Sequence, residues 1–344
     1  MIQAERVHGV DGGSVPVLKL LSHTSQIFIS LDFHRRMRVR FKASNCLGVI
    51  TLSMTVIASD IRAQDLEPRS YANTPVGMNF LIMGYGRTQG GVATDPALPV
   101  KDARVEVDSA TLAYARSLGL WGKSAKFNIV LPYGWASGSA TAKGQFHDRE
   151  ISGFIDPRFQ FSINLFGAPA LSMEEFPKYQ QDIIIGFTLS VTAPGGQYDP
   201  NKLLNLGTNR WSVKPELGIS KRWGPLTFEL AGGVRFYTDN EDFLGGEVRE
   251  QAPIYSVQSH LIYSLPYGIW ASAGSTYYTG GRTHVDGVRN SDLQQNTRVG
   301  VTLALPLSRY QSIKMYFNTG VSTSAGTDFD AMGILWQYRF GDQF

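Results

Sequence analysis

Apolar and polar side chains alternate one by one in many segments of this sequence, and this pattern most strongly limits what the chain can fold into. The last segment, ILWQYRFGDQF, places Ile334, Trp336 and Tyr338 on one parity and Gln337 and Arg339 on the other. A side-chain period of two belongs to a β-strand, and strict alternation indicates that its two faces meet different environments. The sequence therefore predicts strands with one apolar and one polar face.

Similar runs recur along the chain and, with three weaker segments, predict about twelve strands of roughly ten residues. We interpret Ile151 to Leu165 as one such strand, with Ile155 on the apolar face and Asp156 and Arg158 on the polar face. An even number of strands of this length fits antiparallel strands that cross a bilayer at a tilt. We therefore predict an all-β fold, a transmembrane antiparallel up-and-down β-barrel of the outer-membrane type, over residues 65–344.

A soluble β-sandwich is the rival interpretation, since alternation alone does not distinguish a protein core from lipid. Two features favour the membrane. The polar parity carries charge in the middle of strands, as at Lys214, Glu216 and Arg235, and aromatic residues gather near strand ends, where interfacial girdles form. The residues predicted to form the girdle are Tyr133, Trp135, Trp211, Trp223, Trp336 and Tyr338.

The connections between predicted strands alternate between long and short. Outer-membrane barrels show this alternation, because their periplasmic turns are short and their outer loops are long. The segment 166–181 is an exception, since it falls on the short side and yet is long. Ser172 and Glu175 stand there at the spacing of a capping box, which predicts a small periplasmic helix.

Residues 37–63 have the pattern of an export signal. Arg38, Arg40 and Lys42 precede an apolar run from Cys46 to Ala58, and a small residue, Ala63, stands before a polar segment. Cleavage after Ala63 is the first choice and cleavage after Ala58 the second. Residues 1–36 then lie upstream of a start at Met37, and the alternative is a genuine N-terminal extension.

Removal of the first 64 residues changes the charge of the chain. The full sequence has 32 Lys and Arg and 29 Asp and Glu, and the part from residue 65 onward keeps 24 basic and 25 acidic residues. Such a near-neutral chain gives no electrostatic case for binding nucleic acid. The single cysteine lies within the predicted signal. We therefore predict a cysteine-free protein in the Gram-negative outer membrane.

Several segments resemble a bacterial outer-membrane transporter family associated with the meta-pathway of phenol degradation. They include DLEPRSYANTPVGMNFLIMGYG, YARSLGLWGKSAKFNIVLPY, SGFIDPRFQFSINLFGAPAL, APGGQYDPNKLLNLGTNRWSVKPELGISK, TDNEDF, YYTGGRTHVDG and DAMGILWQYRF. The resemblance spans residues 65–344 and implies a barrel that passes aromatic or other apolar compounds. It assigns no ligand-binding residue.

The polar parity supplies the candidate functional residues, because rings of charged side chains control which solutes enter a pore. The predicted lumen-lining residues are Asp156, Arg158, Lys214, Glu216, Glu229, Arg235, His260, Arg298, Lys314 and Arg339. The alternative is that opposite charges pair across the interior and only hold the barrel in shape. Phe344, preceded by alternating aromatic residues, resembles the signal read by the outer-membrane assembly machinery, although Asp342 departs from that pattern.

Three functions remain open from the sequence. The first is passive passage of small apolar or aromatic compounds, with a hydrophobic outer-loop pocket formed by Leu203, Leu204, Phe243 and Leu244. The second is a structural or adhesive barrel without transport. The third is a lipid-acting enzyme, but Ser256 and His260 share the lumenal parity, so we predict no enzyme. No cofactor or metal is implied, and the expected partners are lipid, lipopolysaccharide, the assembly machinery and small apolar solutes.

Overall fold

The computed structural model describes residues 3–8, 14–19, 67–93, 100–142, 145–202, 204–324 and 326–341. Strands β1, Gln3–His8, and β2, Ser14–Lys19, pair as an antiparallel hairpin. The predicted signal at 37–63 and the terminal Phe344 lie outside the described residues. The part of the chain from Glu67 onward forms a β-structure of its own, which is described next.

Seventeen further strands are described. They are β3 Asn79–Ala93, β4 Val100–Leu120, β5 Lys123–Ala142, β6 Gln145–Phe154, β7 Arg158–Phe166, β8 Ile183–Thr192, β9 Ser212–Trp223, β10 Leu226–Tyr237, β11 Asn240–Phe243, β12 Glu247–Gln251, β13 Ile254–Ser264, β14 Trp270–Gly280, β15 Thr283–Val285, β16 Val288–Arg289, β17 Gln294–Pro306, β18 Gln311–Ser322 and β19 Gly326–Phe340. Strands β11, β12, β15 and β16 form a small sheet in the long loops. The remaining thirteen form one sheet, in which β6 and β7 share a single position in the wall.

The sheet closes on itself as a twelve-stranded antiparallel barrel. Its last strand, β19, pairs with its first, β3, from Phe340 opposite Asn79 to Gly326 opposite Ala93. This closure confirms the predicted fold class. Closure also leaves no open strand edge in the bilayer, where lipid offers no hydrogen-bonding partner to backbone groups.

The two faces of the wall have the predicted chemistry. Leu217, Val257 and Val301 point outward and are 56%, 53% and 55% exposed, whereas their neighbours Glu216 and Gln258 point inward and are 8% exposed. A soluble protein of this size does not leave rows of aliphatic side chains in water. The outer surface is therefore the lipid-facing one, and the polar parity lines the interior.

The prediction of one strand from Ile151 to Leu165 is wrong. The strand breaks at Ile155–Pro157, and the parity reverses there: Ile155 is buried inside the barrel, while Phe154 is 61% exposed on the outside. Pro157 has no N–H to donate to a ladder, which explains why pairing stops here. In its place, the loop after β8 contributes a hydrogen bond of 2.7 Å from the Gln197 N–H to the Phe154 carbonyl.

Connection lengths distinguish the two ends of the barrel. At one end, turns of two to five residues join β4 to β5, β9 to β10, β13 to β14 and β17 to β18, and this end is the periplasmic one by the usual pattern. We call it the inner end. The longer linker 167–182 also lies there, and it contains a single 3-10 turn at Phe176–Lys178. Ser172 and Glu175 make the reciprocal capping-box bonds before that turn, at 2.9 and 3.3 Å. Among the described helical turns, none is long and apolar enough to cross a membrane.

Candidate functional site in the barrel lumen

Residues 67–78 enter the lumen at the inner end, and we call them the plug segment. The Met78 N–H donates to the Ser117 hydroxyl at 2.9 Å, which anchors the segment at its exit into β3. The Val76 N–H donates to the Leu171 carbonyl at 2.9 Å, and the Asn73 side-chain amide donates to the Pro169 carbonyl at 3.1 Å. These bonds connect the plug segment to the linker 167–182. The plug segment therefore lies across the inner mouth of the barrel.

Tyr71 anchors the plug segment inside the barrel. Its side chain is only 2% exposed, and its ring lies against Gly186 on β8 and Gly218 on β9, where a Cβ atom would overlap it. The Tyr71 hydroxyl donates to Glu216 Oε1 at 2.9 Å, and the Asn164 amide donates to the Tyr71 carbonyl at 3.2 Å. Two glycines on neighbouring strands therefore make the space that this aromatic side chain fills.

Charged groups of the wall hold the plug segment on either side of Tyr71. Glu216 also accepts from Lys214 Nζ at 2.7 Å and from the Gln258 amide at 3.1 Å. Glu229 accepts from the Arg69 N–H at 2.7 Å and from the Ser220 hydroxyl at 3.1 Å.

The segment is also held from β5, where Lys126 Nζ donates to the Ser70 carbonyl at 3.0 Å. Buried charges with such complete partners fix structure, because removing one partner leaves an uncompensated charge. Against β5 and β8 to β10, the inner half of the lumen is thus packed rather than open.

The lumen holds a cavity of about 600 Å³, which we call the outer cavity; it is lined by Arg249 and Gln294 near the long-loop end and reaches down to Lys314 and Leu335 along β18 and β19. Glu67 and Pro68 of the plug segment lie at its boundary. Its wall mixes apolar side chains, such as Val130 and Ile155, with hydroxyl and charged ones. A volume of this size is typical of sites that bind small organic molecules, for which about 300 to 1,000 Å³ is usual.

One side of the outer cavity is apolar. Leu206, from the loop 193–211, packs with Val107, Ala136 and Ile155, and Ile151 lies against the same cluster. Asp156 holds the loop in this position. The residue is 7% exposed. We call the five apolar side chains the loop cluster.

The Asp156 carboxylate accepts three hydrogen bonds from this loop. The Gly196 N–H donates at 2.9 Å, the Thr208 N–H at 2.7 Å and the Thr208 hydroxyl at 2.6 Å. Asp156 therefore has a structural role, because its hydrogen bonds hold a long loop inside the barrel. Leu204, predicted for an outer-loop pocket, lies against Gly138 on β5, while Leu203 lies outside the described residues.

The structure places the predicted lumen residues in three groups. Lys214, Glu216 and Glu229 contact the plug segment or its partners. Arg158, Arg235, Lys314 and Asp156 line the outer cavity. The remaining three lie apart from both.

Each of these three packs against its own neighbours. His260 is 4% exposed and lies close to Gly274 on β14. Arg298 is 2% exposed, with its guanidinium carbon 3.4 Å from the centre of the Phe329 ring. Arg339 lies at the inner rim and donates to the Arg309 carbonyl at 2.6 Å.

Sequence reasoning missed several residues of the lumen. Arg249 lines the outer cavity from β12 of the small loop sheet, and Tyr71 and Leu206 come from segments without any strand pattern. Alternation could not have found Tyr71 and Leu206, since it reports only on strands. Arg210 also lines the outer cavity; the alternation from Trp211 onward places it on the polar parity with Ser212 and Lys214, although it was not named among the lumen residues.

The predicted girdle residues lie on the outer surface in two bands. Trp223, Trp336 and Tyr338 lie near the inner end, where Tyr338 stacks between Trp336 and Phe340 with ring centres 6.2 and 5.8 Å apart. Tyr133 and Trp135 lie further out on β5, 5.0 Å apart, and Trp211 immediately precedes β9. Aromatic side chains at these two heights fit the two interfaces of a bilayer.

A closed barrel with an aliphatic exterior, aromatic bands and a polar interior defines an outer-membrane β-barrel protein. The chain belongs to the family described as "Putative MetA-pathway of phenol degradation", whose model matches residues 85–340.

Several solved structures are similar to this chain, and the first of them shows the same fold. An outer membrane channel from Pseudomonas putida F1 is 22% identical, with a TM-score of 0.68 over 80% of this chain and 100% of that one. The β domain of the Bordetella autotransporter BrkA is 9% identical, with a TM-score of 0.45 over 77% of this chain and 100% of that one. The CymD monoaromatic hydrocarbon channel is 9% identical, with a TM-score of 0.41 over 79% of this chain and 90% of that one. No curated protein sequence matches the chain.

Proposed function

We propose that this protein is a passive channel through which small aromatic or otherwise apolar compounds cross the outer membrane. The observation that carries the proposal is the outer cavity, a space of about 600 Å³ inside a transmembrane barrel, with the loop cluster on one side. Membership of a family described by phenol degradation supports an aromatic solute. The channel draws on no energy source, so solute moves down its own gradient.

The route of passage follows from the two halves of the lumen. Solute enters from the long-loop end, occupies the outer cavity and then meets the plug segment at Glu67 and Pro68. Because Tyr71 and Arg69 are held by side chains and not by a strand ladder, the segment can shift without opening the wall. Passage therefore requires movement of the plug segment.

Vesicles with lipopolysaccharide in the outer leaflet provide the test, since such a leaflet slows direct diffusion of aromatics. Vesicles containing the purified protein should take up phenol or toluene faster than vesicles containing heat-unfolded protein. Equal rates in the two preparations would remove the transport proposal.

One observation favours a second candidate function, a barrel that conducts nothing. The plug segment and its buried charges make the inner half of the lumen a packed interior. A packed interior of this kind is sufficient for a structural or adhesive barrel, which does not need an open pore. Planar bilayers separate the two candidates: a channel shows conductance with openings, whereas a filled structural barrel shows none at any voltage.

Processing and assembly form part of the same proposal. We infer that residues 37–63 act as a signal that is cleaved after Ala63, that residues 1–36 precede the true start, and that Phe344 contacts the assembly machinery. Lipid and lipopolysaccharide surround the aliphatic exterior. Intact mass measurement of protein from the outer membrane tests the cleavage, and deletion of Phe344 should lower the yield of assembled barrel.

We also propose that the protein is not an enzyme. Ser256 and His260, the pair considered for lipid hydrolysis, are both buried inside the barrel and lie four residues apart on β13. The Ser256 hydroxyl lies 3.4 Å from the Gly233 carbonyl, to which it donates. A substrate lipid lies on the opposite face of this wall. Phospholipase activity lost in a His260→Ala variant would contradict the proposal.

A further inference from the structure

The charge of the outer cavity is unbalanced. Its basic wall residues are Arg158, Arg210, Arg235, Arg249 and Lys314, and its acidic ones are Glu67 and Asp156. Both acids are already engaged: Glu67 lies 3.7 Å from Lys314 Nζ, and Asp156 accepts the three hydrogen bonds from the loop 193–211. The wall therefore presents a net positive charge to whatever occupies the cavity, and a narrow lumen concentrates its field.

Two of the arginines lie at one level of the wall, with two hydroxyls between them. Arg158 on β7 is opposite Thr192 on β8, and Thr192 is in turn opposite Ser212 on β9. From β10, Arg235 Nη1 donates to the Ser212 hydroxyl at 3.4 Å. All four side chains line the outer cavity. Guanidinium groups match the geometry of a carboxylate, and hydroxyls can donate to its remaining lone pairs.

Apolar side chains line the same cavity as these donors. Ile155 and Leu206 both line the cavity and both belong to the loop cluster. The Arg210 guanidinium carbon lies 4.5 Å from the centre of the Tyr237 ring, and Tyr237 also lines the cavity. A single cavity of about 600 Å³ thus offers both positive charge and apolar surface.

We propose that the outer cavity binds aromatic carboxylates of the benzoate class in preference to neutral aromatics of the same size. The carboxylate lies between Arg158 and Arg235 and accepts from the hydroxyls of Thr192 and Ser212. The ring lies against Ile155 and Leu206. This proposal rests on the proposed channel function and specifies its substrate class, since an aromatic acid satisfies both the charge and the apolar surface, whereas phenol satisfies only the second.

Equilibrium binding to the full-length protein in detergent tests the proposal, with benzoate and benzyl alcohol as a charged and a neutral ligand of similar shape. Benzoate should bind at least about tenfold more tightly, which is the scale expected for hydrogen bonds to a charged group. An Arg158→Gln/Arg235→Gln variant should lose that preference and leave the affinity for benzyl alcohol unchanged. Arg289→Gln, on the exposed strand β16, is the matched control and should change neither affinity.

A second measurement starts from the wild-type protein. In a planar bilayer with a salt gradient, the reversal potential of the wild-type protein should show preference for the anion. An Arg158→Lys/Arg235→Lys variant should keep this preference, because it keeps the charge, but should bind benzoate more weakly, because an ammonium group has no planar fork. Each variant must first show the shift in gel mobility on boiling that marks a folded barrel.

The outcomes separate this proposal from the proposed function. Equal affinity for benzoate and benzyl alcohol, or a cation preference in the wild type, overturns the aromatic-acid site and leaves the channel function standing. If neither ligand binds and vesicles show no uptake, the proposed function fails as well. Loss of benzoate binding in Arg158→Gln/Arg235→Gln, but not in Arg289→Gln, supports the proposed binding site.

Discussion

The two halves of the lumen are built from the same strands and yet differ in what occupies them. In the inner half, Tyr71 fills the space above Gly186 and Gly218, and its hydroxyl bonds to Glu216. In the outer half, the loop 193–211 covers only one side, held by Asp156, and leaves a cavity of about 600 Å³. The contrast teaches that the barrel wall does not decide whether its interior is open. Short segments without regular structure decide it.

Removal of the aromatic anchor should have the largest effect on this contrast. In Tyr71→Ala the plug segment loses a nearly fully buried ring and its bond to Glu216. Truncation of a buried aromatic side chain costs about 3 to 5 kcal/mol. We expect the segment to leave its site and the channel conductance to rise, measured on single channels in planar bilayers.

Tyr267→Ala, in the exposed turn between β13 and β14, is the matched control for Tyr71→Ala. It should leave the conductance unchanged. A Tyr71→Ala conductance equal to that of the wild type would show that the inner half is not the constriction.

A substitution at Glu216 tests the charges that hold the plug segment. Glu216→Ala leaves Lys214 without the carboxylate that now lies 2.7 Å from its Nζ atom and removes the acceptor of the Tyr71 hydroxyl. Breaking a buried pair by removing one partner costs about 3 kcal/mol or more. We expect a lower urea midpoint for unfolding from lipid than in Glu241→Ala, an exposed loop control. Equal midpoints would contradict the structural role of Glu216.

The outer half should respond more mildly, because one loop rather than the barrel interior is affected. Asp156→Asn weakens the bonds from Gly196 and from Thr208, and a hydrogen bond to a charged group contributes about 1.5 to 3 kcal/mol. We expect the loop 193–211 to become accessible to a protease added from the outside, with cleavage at Lys202 by trypsin. The barrel itself should remain folded. Resistance equal to that of the wild type would mean that other contacts hold the loop.

The smallest effect is expected at the inner rim, outside the lumen. The Ser172 N–H and hydroxyl both donate to Glu175 and hold the pKa of its carboxyl below the ordinary value. A lowered pKa in the folded state means that the stabilisation is present at neutral pH and is lost as the pH falls through that pKa. The protection of the amides of residues 172–178, taken relative to the intrinsic exchange rate at each pH, should therefore fall on acidification, and Glu175→Ala should abolish this pH dependence.

The sequence predicted the barrel well because the barrel is made of strands. Alternation of Val213, Leu217 and Ile219 with charged neighbours reports directly on which face meets lipid. Closure of β19 on β3 followed from the inability of lipid to satisfy an open edge. The break before Arg158 was missed, since isoleucines on both sides of it happened to keep the same parity.

The candidate site was predicted only in part, for a different physical reason. Charged residues such as Glu229 and Asp156 could be assigned to the interior, but Glu229 is bonded by the plug segment and Asp156 by the loop 193–211. Alternation with a period of two residues indicates the faces of a strand, but it gives no information on how an irregular segment folds back into the barrel. Which charges hold the plug and which face open space thus required the structure.

The central claim is that solute passes through the lumen and that the plug segment must move to let it pass. A Ser70→Cys/Lys126→Cys variant provides the direct test, because Lys126 Nζ now lies 3.0 Å from the Ser70 carbonyl and a cleavable bifunctional thiol reagent can join the two positions. The only other cysteine, Cys46, lies in the segment predicted to be removed. In vesicles with an outer leaflet of lipopolysaccharide, the cross-linked protein should take up an aromatic compound no faster than protein-free vesicles, and a reductant should restore uptake. Equal uptake before and after cross-linking would contradict the account.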